Sequence, residues 1–158
     1  MNVSKLSLWD FAGFDGLVLA RSLFGECVSD LSVFQSLETE WNGSVCAVLR
    51  LGETNFRVAF SVDRNADTLQ RAAVGRRVWV KPSGLVSLAL DDGPAWKRLV
   101  ETGTAKPPHR LAGLPLNRAV PISLDGTAAL VWRHSVHGVP KSELQIAPDR
   151  LEEICRLF

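Results

Sequence analysis

Val45-Cys46-Ala47-Val48-Leu49-Arg50-Leu51, Gly52-Glu53-Thr54 and Asn55-Phe56-Arg57-Val58-Ala59-Phe60-Ser61-Val62-Asp63 form the continuous stretch on which the fold turns. Side chains of an extended chain alternate between two faces. Val45, Ala47, Leu49 and Leu51 therefore share one side of the first arm. In the second arm Phe56, Val58, Phe60 and Val62 lie opposite Asn55, Arg57, Ser61 and Asp63. Two runs of period two around a short glycine-containing connection predict a β-hairpin. An antiparallel sheet is then the frame that the rest of the chain must fit.

Working outward, Arg77–Lys81 and Leu85–Leu90, joined by Pro82-Ser83-Gly84, predict a second hairpin. Ala119–Leu124 and Thr127–His134, joined at Asp125-Gly126, predict a third, followed by a short strand near Glu143–Ile146. Pro121 assigns its strand to an edge or a bulge, because proline cannot donate to a ladder. Connections this short exclude parallel crossovers.

Helical signals lie around these strands. Leu31, Phe34, Leu37 and Trp41 recur at helical spacing after Ser29 or Asp30, and Asn42-Gly43 is read as the stop. Asp67–Ala73 predicts a short helix, and Asp92-Gly93-Pro94 begins another carrying Trp96, Leu99 and Val100. A last helix follows Pro148, with Asp149 as its cap and Leu151, Ile154 and Phe158 as its apolar stripe. Residues 1–28 fit neither pattern cleanly, and Gly103–Pro115 reads as an irregular loop. The expected fold is α+β. An antiparallel, barrel-like sheet of six or seven strands carries an N-terminal helical region and a C-terminal helix. One domain is expected over 1–158, with 1–42 helical or irregular, 43–147 rich in strand and 148–158 helical.

The 158 residues, 46% hydrophobic and 22% charged, are enough to bury a core without staples. Cys27, Cys46 and Cys155 are odd in number and far apart, which predicts reduced, mostly buried thiols rather than a disulfide framework. Asp10 and Asp15 interrupt the early apolar run, and no stretch reaches the ~20 apolar residues that span a bilayer. A soluble, cytoplasmic protein without membrane insertion is expected. Charge is segregated: −4 over residues 1–42, +6 over 43–118 and −1 over 119–158. A basic middle attracts acidic partners or nucleic acid.

No motif names a reaction. There is no nucleophile elbow and no phosphate-cradling glycine loop, so no cofactor is expected. His109, His134 and His137 have the chemistry of zinc ligands, but three residues apart on a strand the last two face opposite sides. A face bearing Arg77, Trp79 and Lys81, joined by Arg57 of the neighbouring hairpin, suits a contact surface, since aromatics among cations stack on partner groups. Trp9, Phe11 and Phe14 form a second candidate contact strip. Trp132 shares its side with His134 while Arg133 points away, which places Trp132 in the core.

These readings predict a non-enzymatic module of the adaptor, secretion-associated or inhibitor type, binding another protein and compatible with self-association. Single-stranded nucleic-acid binding by the basic middle is the second reading. A metal-dependent enzyme using His109, His134 and His137 is the third.

Overall fold

The computed structural model describes residues 1–61, 66–91 and 93–158. Its strands are β1 (Asn2–Val3), β2 (Ser7–Ala12), β3 (Ser36–Trp41), β4 (Ser44–Arg50), β5 (Phe56–Phe60), β6 (Trp79–Pro82), β7 (Val86–Leu90), β8 (Gly103–Ala105), β9 (Arg118–Leu124), β10 (Thr127–Val136) and β11 (Val139–Ile146). The helices are α1 (Gly16–Phe24), α2 (Ala66–Ala72), α3 (Pro94–Thr102) and α4 (Leu151–Cys155), with 3-10 turns at Glu26–Asp30 and Pro148–Arg150. The α+β class and the antiparallel pairing are as expected, but there are two sheets, and neither closes into a barrel. One is ordered β1-β7-β11-β10-β9-β8 and the other β3-β4-β5-β2-β6. Val62, Asp63 and Asp92, read as a strand end and a helix start, lie outside the described residues.

Contacts divide the chain into two compact units. The first holds Met1–Ser4, Gly84–His134 and Val139–Phe158; the second holds Lys5–Ser83 and Ser135–Gly138. The expected hairpin across Pro82-Ser83-Gly84 is therefore absent. β6 pairs with β2, with Trp9 opposite Pro82, while β7 pairs with β1 and β11 in the other sheet.

The helix expected over Leu31–Trp41 is also corrected. That segment contains β3, and Asn42-Gly43 is the turn of a β3–β4 hairpin, with φ of 50° and 74°. Both turn residues sit in the left-handed region, as a two-residue hairpin turn demands. The same dipeptide reads as a helix stop or as a hairpin turn, and the sheet's need for a partner beside β4 decides. Gly43→Ala forces a side chain into that conformation and is expected to cost about 1 kcal/mol, seen as a lowered urea midpoint.

In the second unit one face of the sheet carries Trp9, Phe11, Cys46, Val48, Phe56, Val58 and Phe60, packed with Leu19, Ala20 and Phe24 of α1 and Leu69 of α2. Leu19, Ala20 and Phe24 recur at helical spacing, so α1 buries one stripe. Phe11 stacks on Phe24 at 6.0 Å, and Phe24 meets Trp41 edge-on at 6.1 Å. In the first unit Leu88, Leu90, Val120, Ile122, Val131, Leu144 and Ile146 form the sheet side of a core closed by Leu99 of α3 and Ile154 of α4. Asp149 makes no capping bond at the last helix.

Pro121 stands where its strand has run out of partner. β8 reaches only as far as the Ala105–Ile122 pair, and Lys106 N donates to the Pro121 carbonyl just beyond it. β9 itself is not an edge strand, since it lies between β10 and β8, but the missing N–H falls on the side beyond the end of the β8 ladder, which is what lets the strand keep a proline. Among the described residues no helix is long and apolar enough to cross a membrane.

Candidate functional site

Immediately after Leu8-Trp9-Asp10-Phe11-Ala12, the loop Gly13-Phe14-Asp15 folds against the segment entering β6. Gly13 has φ of 142°, and a Cβ there would lie 2.5 Å from the Arg77 carbonyl oxygen and 2.9 Å from the Val78 Cα. Only glycine lets the two backbones approach this closely. Asp15 N–H donates to the Arg77 carbonyl at 3.3 Å, and Arg77 N–H donates to Asp15 Oδ2 at 2.7 Å. That backbone donation, aided by the Arg77 guanidinium 3.5 Å from Oδ1, holds the Asp15 carboxyl below the usual carboxylate range.

The loop thereby fixes Phe14, whose ring lies 4.1 Å beneath the Arg77 guanidinium carbon. Phe14 is 72% exposed and Trp79 75% exposed. Arg77, Trp79 and Lys81 all face outward while Val78 is buried, as alternation required. Gly13, Arg76, Arg77 and Trp79 line a cavity of about 260 Å³ with Ala12 and Val78. The result is an aromatic and cationic patch with one acid, Asp15, engaged within it.

Other expected members are elsewhere. Trp9 (5% exposed) and Phe11 (0%) are core residues, and the Trp9 indole N–H donates to Ser7 Oγ. Of that strip only Phe14 is open to a partner. Arg57 does not join the cationic face either. It is 7% exposed and forks onto Asp10, directly opposite on β2, with Nε–Oδ1 of 2.7 Å and a second bond of 2.9 Å to Oδ2. A cation between flanking strands pairs with the carboxylate in register, which no reading of one strand reveals. Because Trp79 is the exposed tryptophan of the patch, Trp79→Phe is expected to remove the most acrylamide-accessible part of the emission. It should shift stability by less than about 0.5 kcal/mol.

The histidines do not gather. His137 is exposed in the β10–β11 turn with φ of 54°, whereas His134 is buried in the other unit. Among the described residues no three His, Cys, Asp or Glu side chains form a metal-holding group. An acid does orient His134. Glu143 Oε2 lies 3.0 Å from Nε2, across from β10 on β11, and both side chains are 0% exposed. Ser4 Oγ donates to Glu143 Oε1 at 2.5 Å, and the Trp132 ring lies 4.1 Å from the imidazole. Burial pushes the Glu143 carboxyl up, but the bond from His134, the charge of His134, the bond from Ser4 and the nearby Ser87 hydroxyl outweigh it and hold it below its usual range. The separation of nine residues along the chain hid this pair.

Of the thiols only Cys46 is buried, and burial, with Glu38 nearby, pushes it up to about 12, which makes it inert at neutral pH; Cys27 and Cys155 are exposed.

No protein-family model matches the chain, and no curated protein does. Solved structures do. Glycine cleavage system aminomethyltransferase T from Bartonella henselae is similar over 99% of this chain, at 17% identity and a TM-score of 0.78. The chain spans 44% of that protein's length. A chain of the heterotetrameric sarcosine oxidase from Corynebacterium sp. U-96, solved in complex with pyrrole 2-carboxylate, is similar over 98% of this chain at 18% identity and a TM-score of 0.64. Here 78% of the other chain is covered. Identities this low show the fold alone. Yet it is a fold that enzyme chains carry, which overturns the expectation of a non-enzymatic binding module, whether for protein or for nucleic acid.

Proposed function

We propose that this chain is a subunit of a heteromeric enzyme that oxidises a small N-methylated amino acid. The observation that carries this is one of span. The chain aligns over 98% of its own length with 78% of a sarcosine oxidase chain. Sarcosine is N-methylglycine, and glycine cleavage also handles a one-carbon unit attached to an amino nitrogen. The two names share that chemistry. Oxidation takes a hydride from the N-methyl group. Water then hydrolyses the iminium to formaldehyde and the free amino acid, and oxygen as acceptor leaves as hydrogen peroxide. Fold-level likeness raises the prior for this chemistry but assigns no catalytic residue. We place the enzyme in the cytoplasm, where exposed Cys27 and Cys155 stay reduced.

The test uses the complex purified through a tag on the native chain. Oxygen uptake dependent on sarcosine, with equimolar formaldehyde and amino acid, is expected, and it should be lost from cells lacking this chain. No uptake with sarcosine or N-methylalanine would overturn the reading. The higher TM-score of the aminomethyltransferase favours a second reading, one-carbon transfer without oxidation. That reading predicts glycine-dependent ammonia release and no oxygen uptake from the same preparation.

A further inference from the structure

We infer that the outer edge of β6 is the docking site for an acidic, extended segment of a partner subunit, which joins the second unit's sheet as an added strand. The inference rests on the heteromeric reading above and deepens it by naming the surface and the chemistry of its partner.

Among the described residues β6 is the last strand of its sheet and pairs with β2 alone. Ser83 N–H donates to the Leu8 carbonyl at 2.9 Å, continuing the register in which Trp9 faces Pro82 and Asp10 faces Lys81. Alternate residues of an antiparallel strand direct their N–H and C=O groups to the same neighbour. Ser83 and Lys81 therefore bond inward to β2. The N–H and C=O of Val80 and the C=O of Pro82 are directed outward. An edge with open backbone groups is a template for strand addition. Proline at an outward position is compatible with an edge, and it limits the ladder to a short one.

The side chains around this edge select the strand that adds. Trp79 and Phe14 offer two exposed rings beside a cavity of about 260 Å³, room for one apolar anchor. Arg76, Arg77 and Lys81 surround them, while Asp15 is engaged with Arg77. An incoming strand whose alternate residues are Asp or Glu meets Arg77 and Lys81 across the ladder, where opposite charges are favourable. A second copy of the chain is disfavoured by the same rule, because pairing β6 with β6 brings the cations of both copies together.

Three fluorescein-labelled peptides test this against the full chain by anisotropy. One alternates leucine and glutamate, one alternates leucine and lysine, and one is the glutamate peptide N-methylated along its ladder-forming edge. The glutamate peptide is expected to bind at least about tenfold more tightly than either of the others. Arg77→Glu with Lys81→Glu should weaken it by about tenfold or more in protein whose circular dichroism shows it still folded. Equal binding of the N-methylated peptide would mean charge attraction without strand addition and would overturn the inference. So would tighter binding of a single-stranded oligonucleotide than of the glutamate peptide, or a dimer in sedimentation that Trp79→Asp abolishes. If peptide binding fails while the tagged complex consumes oxygen with sarcosine, the docking site falls and the subunit reading stands. Peptide binding without uptake has the opposite meaning.

Discussion

Replacing His134 with leucine is expected to destabilise its unit by about 3–5 kcal/mol, the usual consequence of taking the partner away from a buried carboxylate. The imidazole and the Glu143 carboxylate are both fully buried, 3.0 Å apart. Without His134 the carboxylate keeps the Ser4 hydroxyl as a donor but loses the group that most offsets its burial. The double variant His134→Leu with Glu143→Leu should recover most of the loss, because the desolvation penalty leaves with the charge. Urea unfolding followed by far-UV circular dichroism measures both. A double variant no more stable than the single one would refute the account.

The same pair sets an acid dependence. The Glu143 carboxyl is held below its ordinary value in the folded chain. Its contribution is therefore complete above the unfolded value of about 4.3 and is lost as pH falls through the folded one. Glu143→Gln has no such proton to take up. The stability difference between the parent and this variant should shrink as pH is lowered from about 7 to about 3. A constant difference across that range would argue against an ionised Glu143.

Gly13→Ala is the second large effect, expected at about 3 kcal/mol from two sources acting together. The new Cβ meets the Arg77 carbonyl and the Val78 backbone, neither of which is a flexible side-chain end, and φ of 142° strains any L side chain. The change should also separate Asp15 from Arg77 and release Phe14 from its cation. Thermal melts read the first consequence. The second appears as loss of glutamate-peptide binding by protein that is still folded at low temperature. Full peptide affinity in Gly13→Ala would show that the loop does not build the patch.

Local alternation made much of this legible. Phe56, Val58 and Phe60 announced an inward face, Thr127–His134 a strand and Asp67–Ala73 a helix, because each signal lies within one element. The exposure of Arg77, Trp79 and Lys81 followed from the same rule. What failed was what needed a partner. Asn42-Gly43 serves as a helix stop or a hairpin turn with equal ease, and only pairing beside β4 chooses. Trp9 and Phe11 looked available because the strand that covers their flank, β5, lies 45 residues or more further along the chain. Glu143 was invisible beside His134 for the same reason.

The α+β antiparallel character, the third hairpin and the cationic–aromatic face were all written in the order of residues, since side-chain alternation and turn chemistry are properties of a few adjacent positions. Which strands lie side by side decided the rest: Pro82-Ser83-Gly84 parts two sheets instead of joining two strands, and Arg57 and His134 each meet a carboxylate on the neighbouring strand, half-buried at Asp10 and fully buried at Glu143. Backbone hydrogen bonds carry no sequence label, so the choice of neighbour is made by the burial of whole faces at once.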